Sequence, residues 1–478
     1  MLSSKIKTSF IWGSINTGGS QVLGFIFSIV LARLLSPEDF GIIAIVVSLN
    51  MIANIFVDSG LSQAMIREQN VTNLDYNSVF YFSLLIGLLC SYFLFSSSGF
   101  VADFFSEPNM ASVIQIMSVS PIIYSLMAIN NTIIIKQLNF KLRAKLSLTA
   151  VLISGIVSLS LAILGFGIWC LVVMQLLNIV LLMIFLWCTV KWRPSLKFDY
   201  KSVLKYLRFG VIISISNLAN LFASKSYVLI IGKYFSILDA SYFTRADSLK
   251  NVPTKMVSKI ISKVSYPILS KMQNESKILR RTSVDMVRFT AVISMPIILG
   301  MASVADELIV TLIGERWLPA GQIFMYLCFA GILQPLETIN MNIIKSNGKI
   351  STYLKIELLK IFMVFLVIGS GLGFGMRMML FSIIVYSILS FIISGHIAGK
   401  IINYSFREYC LDISQPVTAS LLMFLVVYMV KNYFNLGSFL ELLLAIISGF
   451  TVMVILYEVM KNREYLIIKK NIYRVRSK

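Results

Sequence analysis

Residues 251–272 read NVPTKMVSKIISKVSYPILSKM, a stretch that is long enough to cross a bilayer but is not apolar on every side. Lys255, Lys259 and Lys263 recur every four residues, so a helix stacks them along one face. Further polar residues widen that face: Ser258, Ser262 and Tyr266. Apolar residues are expected on the opposite face: Val252, Met256, Ile260, Val264 and Ile268. Such a segment either lies flat on the anionic cytoplasmic leaflet or spans the membrane with its basic face in a hydrated cavity.

The composition is that of a membrane protein. The chain has 478 residues, of which 57% are hydrophobic and only 13% are charged, and its mean hydropathy is +0.84. A soluble enzyme of this length is excluded, and an all-α polytopic membrane protein of about 14 transmembrane helices is predicted. The apolar runs of helical length are 10–32, 40–57, 78–99, 111–135, 146–165, 168–190, 209–232, 251–272, 286–311, 322–344, 354–372, 378–398, 413–431 and 438–457.

Most of the net charge of +20 is explained by Lys and Arg residues in the loops on one side of the membrane. With a cytoplasmic N-terminus, the clusters of Lys and Arg fall in cytoplasmic loops, as the positive-inside rule requires. These clusters are at 136–145, 191–208, 271–288, 345–355, 400–407 and 461–478. Both termini are therefore expected in the cytoplasm, and no nucleic-acid partner is expected.

The distribution of Lys and Arg also decides whether residues 251–272 lie flat on the membrane or span it. If they lay flat, 17 basic residues from Lys271 onward would face outward, against only Arg316, Arg377 and Lys431 facing inward. The segment is therefore predicted to span the membrane. Because each lysine in contact with lipid costs about 2.5–3.5 kcal/mol, its basic face should line a hydrated interior.

A weak ungapped repeat at an offset of 200 residues indicates two similar halves. Paired positions include Ser36 with Ser236 and Asp39 with Asp239. The expected organisation is a six-helix lobe over 1–190, a basic cytoplasmic linker over 191–208 and a second six-helix lobe over 209–400. Two extra helices and a basic cytoplasmic tail follow over 401–478.

Polar residues at membrane depth are the candidate functional groups. Several basic groups without a matching row of acids predict an anionic cargo such as a phosphate, a pyrophosphate or an acidic sugar. The predicted cargo-binding set is Lys225, Lys255, Lys259, Lys263, Arg245, Asn16, Gln21, Asn217, Asn220 and Tyr266. For the Asn and Ser residues, hydrogen bonding between close-packed helices is the alternative.

Three carboxylates are candidates for ion or proton coupling: Glu337, Glu357 and Asp58. The alternative is that each forms a simple ion pair with an interior lysine. The sequence has no GxxxxGK[ST] or HExxH motif, and its five cysteines lack metal-ligand spacing. Neither a catalytic site, a metal nor any other cofactor is expected.

Six stretches, in order over residues 1–400, resemble the polysaccharide-transporter branch of the multidrug/oligosaccharidyl-lipid/polysaccharide exporters, which includes Wzx-type O-antigen flippases. They are ARLLSPEDFG (32–41), DSGLSQAMIR (58–67), YFTRADSL (242–249), SYPILSKMQ (265–273), GERWLPAG (314–321) and ILQPLETIN (332–340). The final two helices carry no such motif. SNGK (346–349) is similar to a family segment but has Lys349 where Arg is expected.

The resemblance implies a V-shaped bundle of two lobes and a specific cargo. That cargo is an undecaprenyl-pyrophosphate-linked oligosaccharide repeat unit, moved by alternating access to the periplasmic leaflet of a bacterial inner membrane. A polysaccharide polymerase and chain-length machinery are the implied protein partners. The alternatives are a lipid II-type flippase, a drug exporter of the same superfamily, for which cavity carboxylates rather than lysines are expected, and a membrane-embedded glycan polymerase.

Overall fold

The computed structural model describes residues 2–273, 275–433 and 437–476, and within them the chain forms α-helices, one short 3-10 turn and no strand. The chain folds into two compact units, one up to Ser241 and one from Tyr242 onward. The helices that begin in the first unit are α1 (Leu2–Leu34), α2 (Pro37–Asp58), α3 (Leu61–Arg67), α4 (Asn73–Ser96), α5 (Ser98–Phe105), α6 (Pro108–Met117), α7 (Ser120–Lys136), α8 (Phe140–Ile163), α9 (Trp169–Thr189), α10 (Tyr200–Tyr234) and α11 (Ile237–Lys271).

The second unit contains most of α11 and the remaining helices. These are α12 (Ser276–Ser303), α13 (Ala305–Ile313), α14 (Pro319–Gly331), α15 (Gln334–Ser346), α16 (Ile350–Phe374), α17 (Met376–Ile402), α18 (Phe406–Tyr433), α19 (Ser438–Val459) and α20 (Arg463–Arg476). The boundary between the units therefore follows α10, whereas the sequence places a lobe boundary at the linker 191–208. The division into transport lobes stays a prediction.

The predicted all-α membrane fold is confirmed. Among the described residues, 12 spans are long and apolar enough to cross a membrane. Some predicted runs correspond to longer or bipartite helices, such as Pro108–Lys136, which contains α6 and α7. The apolar part of α1, Gly18–Leu34, is shorter, and α11 is long but too polar to qualify. These two helices account for the difference between the 12 apolar spans and the 14 predicted runs.

The repeat at an offset of 200 residues is visible in the helix boundaries. Helices α1 and α10 end at Leu34 and Tyr234, and α2 and α11 begin at Pro37 and Ile237. Both turns use the same cap, because Ser36 Oγ accepts from the Asp39 N–H at 3.3 Å and Ser236 Oγ accepts from the Asp239 N–H at 2.8 Å. A serine cap of this kind satisfies an N–H that has no partner inside the helix.

A break directly follows the span Pro37–Asp58, and a two-residue turn interrupts the span Pro319–Ser346. Between α2 and α3, Ser59 and Gly60 adopt left-handed backbone conformations with φ of 45° and 65°. Between α14 and α15, the helix is interrupted at Ile332 and Leu333. Broken helices at membrane depth are tolerated where neighbouring protein satisfies the freed backbone groups.

The last two long helices pack into the second unit. Leu299 of α12, Met423 of α18 and Ala445 of α19 belong to one buried apolar cluster. At one end of α18, Lys431 forms an ion pair of 3.0 Å with Glu307 of α13, and both side chains are nearly buried. At the other end, Asp412 accepts from Arg288 of α12 at 2.5 Å.

Candidate functional site

The basic face of α11 is exposed on the isolated chain. Lys255 and Lys259 are both exposed, one helical turn apart. The apolar residues Met256 and Val252 lie on the same side and are 62% and 45% exposed. Their predicted position on the opposite face is wrong. Met256 directly follows Lys255 and so lies only about 100° around the helix from it, which places the two stripes side by side.

The buried side of α11 packs against α15. Thr254, Ser265 and Leu269 are almost completely buried. Asn342 of α15 donates from Nδ2 to Ser265 Oγ at 2.8 Å and to Ser262 Oγ at 3.3 Å. Ser262, predicted to widen the lysine face, is half-buried and accepts this hydrogen bond between helices. The lysines consequently project from a helix whose back is fixed by hydrogen bonds and apolar packing.

The side chains of Asn16, Lys263 and Tyr266 lie outside the described part of the structure, so their predicted roles stay predictions. Gln21, on α1, is exposed and contacts another group of the protein. In the same unit α1 packs against α8, where Ser20 and Ser147 share a hydrogen bond of 3.1 Å.

The polar residues of α10 lie on an accessible stretch of that helix. Asn217 and Lys225 are half-buried, whereas Asn220 is exposed. Asn220 donates from Nδ2 to the Ser216 carbonyl at 3.0 Å, within its own helix. Within the described residues no carboxylate forms an ion pair with Lys225. The hydrogen bond of Asn220 therefore lies within α10, whereas the alternative to cargo binding was a hydrogen bond between close-packed helices.

Arg245 is held against an aromatic ring. Its guanidinium lies 5.4 Å from the ring centroid of Trp317, which is completely buried. Tyr242 packs edge-on against the same ring at 6.1 Å and donates to the Arg316 carbonyl at 3.4 Å. Two of the six quoted stretches, 242–249 and 314–321, therefore meet here. This cation–π contact gives Arg245 a structural partner.

Two predicted carboxylates converge on one lysine in the second unit. Lys360 Nζ of α16 lies 2.5 Å from Glu337 Oε1 of α15 and 3.2 Å from Glu357 Oε1 of its own helix. Ser390 Oγ of α17 also donates to Glu337 Oε1 at 2.8 Å. The Lys360 and Glu337 side chains are 16% and 17% exposed, and Glu357 is 29% exposed. With all three groups ionised, this carboxylate–lysine triad carries a net charge of −1.

The sequence alone missed Lys360. The available signal was KIELLK, which places Glu357 and Lys360 three residues apart on one helical face. Glu337 lies in the first turn of α15, where the positive end of the helix dipole also favours a carboxylate.

Asp58 lies apart from these carboxylates, in the first unit at the break between α2 and α3. Its carboxylate lies near the backbone N–H groups of Gly60 and Ser62 and near the Ser62 hydroxyl. These N–H groups belong to the start of α3, where a negative charge is favourable. The role of Asp58 in coupling stays a prediction.

Known proteins resemble this chain in sequence. The chain is 26% identical over 330 residues to the succinoglycan biosynthesis transport protein ExoT of Rhizobium meliloti, covering 68% of this chain and 66% of that protein. It is 22% identical over 436 residues to the lipopolysaccharide biosynthesis protein WzxC of Escherichia coli, covering 89% and 88%.

Among solved structures, the lipid II flippase MurJ in an inward-closed conformation matches with a TM-score of 0.76 and 18% identity, over 94% of this chain and 98% of that one. At this identity the match shows the fold. A sequence profile described as polysaccharide biosynthesis protein matches residues 30–322, which is more than half of the chain. The chain therefore belongs to the polysaccharide biosynthesis protein family.

Proposed function

We propose that this protein is a flippase for undecaprenyl-pyrophosphate-linked oligosaccharide repeat units in a bacterial inner membrane. Family membership, the MurJ-like fold and the roles named for ExoT and WzxC support this class of activity. The observation that carries the cargo assignment is the exposed pair Lys255 and Lys259 on a helix of membrane-spanning length. An anionic diphosphate is the group that such a pair recognises.

In the proposed cycle, the lysine face of α11 holds the diphosphate while the prenyl chain stays in the bilayer. Alternating access then exposes the head group to the periplasm. The membrane potential favours this step, because a charge of about −2 moving outward gains roughly 4–5 kcal/mol per 100 mV.

We further propose that the carboxylate–lysine triad is the coupling site. Its net charge of −1 in a largely buried position leaves room for a proton or a sodium ion when the cycle returns. We also propose that both termini are cytoplasmic, with the basic tail next to the inner leaflet; the distribution of Lys and Arg supports this. A polysaccharide polymerase with its chain-length partner is the proposed recipient of the product.

The test is flipping of a fluorescent undecaprenyl-diphosphate saccharide in proteoliposomes. Replacing both lysines, Lys255→Ala with Lys259→Ala, should slow flipping about tenfold or more, because charge-assisted hydrogen bonds are worth about 1.5–3 kcal/mol each. Lys277→Ala, an exposed lysine at the start of α12, is the matched control and should keep the wild-type rate.

Wild-type flipping by a correctly inserted double variant would refute the cargo site. No flipping of any lipid-linked saccharide by the wild type would refute the function. Competition by lipid II, compared with an O-unit carrier, distinguishes the two kinds of flippase.

A further inference from the structure

Helix α15 lies between the carboxylate–lysine triad and the lysine face of α11. It has 13 residues, and its buried polar side chains are Asn340, Asn342 and Ser346. Glu337, in its first turn, faces Lys360 of α16 and Ser390 of α17. Asn342 lies five residues further, about 7.5 Å along the axis and about 140° around it, and it faces α11. One short helix therefore connects the two charged sites of the second unit.

The link from α15 to α11 is specific. Asn342 is 7% exposed and Ser265 is 1% exposed, so their hydrogen bond of 2.8 Å is shielded from water. A buried amide that loses its partner has no water to replace it, so the two helices are constrained to move together. The same side chain also donates to Ser262, one turn from Lys259.

The other end of α15 responds to charge. Glu337 is held by the Lys360 ion pair, by the Ser390 hydroxyl and by the dipole at the start of its own helix. Neutralising or screening this carboxylate weakens all three interactions. A two-residue turn at Ile332 and Leu333, both with right-handed helical backbone angles, marks the start of α15. The titratable groups around Glu337 are Lys360, Glu357 and Tyr386.

We propose that α15 transmits cation or proton uptake at Glu337 to the lysine face of α11, with Asn342 as the positioning residue that makes the connection. This inference rests on the proposed function, since it assumes that cargo binds at Lys255 and Lys259. It predicts that cargo affinity depends on the charge state of the triad. By reciprocity, cargo changes the affinity of the triad for its ion by the same factor.

The experiment measures the Kd of farnesyl diphosphate for the full-length protein in detergent, at pH 6 and pH 8, each with and without sodium. In the wild type we expect the Kd to change by about fivefold or more between at least two of these conditions. Glu337→Gln should remove this dependence. The ionisation of the ligand itself also changes the Kd between pH 6 and pH 8, equally in every variant. The dependence meant here and below is the change in Kd beyond that shared contribution, which a titration of the free ligand gives.

Asn342→Ala should bind the ligand but lose the dependence on pH and sodium. Ser346→Ala is the matched control, because Ser346 is equally buried on α15 but donates only to the Ile343 carbonyl of its own helix. It should keep the wild-type dependence. If Asn342→Ala unfolds the protein, the pair Ser262→Ala with Ser265→Ala removes the same hydrogen bonds from the other side.

The possible outcomes separate the two proposals. A dependence that survives both Asn342→Ala and the double serine variant refutes the transmission by α15 and leaves the flippase intact. Absence of any dependence in the wild type refutes coupling at the triad and, with it, this inference. Failure of the wild type to bind farnesyl diphosphate refutes the cargo site itself.

Discussion

Gly60 and Gly210 lie against each other where α10 passes the break after α2. A Cβ atom at Gly210 would lie under 3.0 Å from the Ser59 carbonyl oxygen, and one at Gly60 would meet the Gly210 backbone equally closely. Next to them, Arg67 lies over the Phe209 ring at 4.5 Å and Glu68 pairs loosely with Lys205 at 3.8 Å. The glycines therefore set the distance between the two helices.

We predict that Gly210→Ala destabilises the protein. In a free helix this change is stabilising by about 1 kcal/mol, but here the methyl group clashes with backbone that cannot rotate away. The expected net loss is about 1–3 kcal/mol, measured as a lower Tm in detergent. Gly369→Ala, in α16 with no atom near its Cβ, is the control and should leave Tm unchanged or raise it. An unchanged Tm for Gly210→Ala would show that the two helices separate easily.

At this scale the sequence predicts the types of residue better than their partners. Glu337 and Glu357 stand out in the sequence because a carboxylate in an apolar run is costly unless it is paired or functional. Lys360 does not, because its pairing with Glu337 depends on how α15 packs against α16. Likewise, the charge of Arg245 places it in the cargo set, and only the fold shows that it faces Trp317.

Among the helices, α18 shows how the C-terminal addition is attached. Lys431 and Glu307 are 12% and 11% exposed, and Asp306 lies beside them. Burial raises the pKa of the Asp306 carboxyl, while the nearby Lys431 opposes this shift. Lys431 therefore pairs with Glu307 of α13 and lies close enough to favour the charged form of Asp306.

Removal of this cation should loosen α18 and α19. Lys431→Met leaves Glu307 buried and unpaired, so we expect a loss of about 3–5 kcal/mol in the free energy of unfolding. Arg280→Met is the matched control, because the Arg280–Glu408 pair has the same 3.0 Å separation but is 45% and 48% exposed. That variant should cost no more than about 1 kcal/mol. Equal Tm values for the two variants in detergent would contradict the difference in burial.

Helix positions are predictable from the sequence, but helix breaks are not. Each apolar run of the sequence corresponds to one helix or to two consecutive helices, because the bilayer fixes the length that must be covered. The interruptions at Ser118 and Ile332 leave the apolar pattern unchanged and depend on tertiary partners. The helix α11 is the opposite case, since its charge spacing identifies it while its hydropathy alone does not.

For the whole molecule, the side of the membrane on which each later loop lies depends on how many times the chain crosses before residue 276. The distribution of Lys and Arg favours cytoplasmic termini only if α11 crosses, because every later loop changes sides otherwise. Its 35 residues span about 52 Å, which is sufficient for a tilted crossing. The exposed lysines then require water rather than lipid around them, and this requirement underlies the proposed cargo site.

We therefore predict that the two ends of α11 lie on opposite sides of the membrane. In a variant without the five native cysteines, Tyr234→Cys, at the exposed end of α10, should react with a membrane-impermeant maleimide added to intact cells. Glu275→Cys, exposed just before α12, should react only after the membrane is permeabilised. Labelling of both cysteines from the same side would mean that α11 lies flat. The loops from α12 onward would then have inverted charge, and the lysines would rest at the surface, where they could not accompany a diphosphate across.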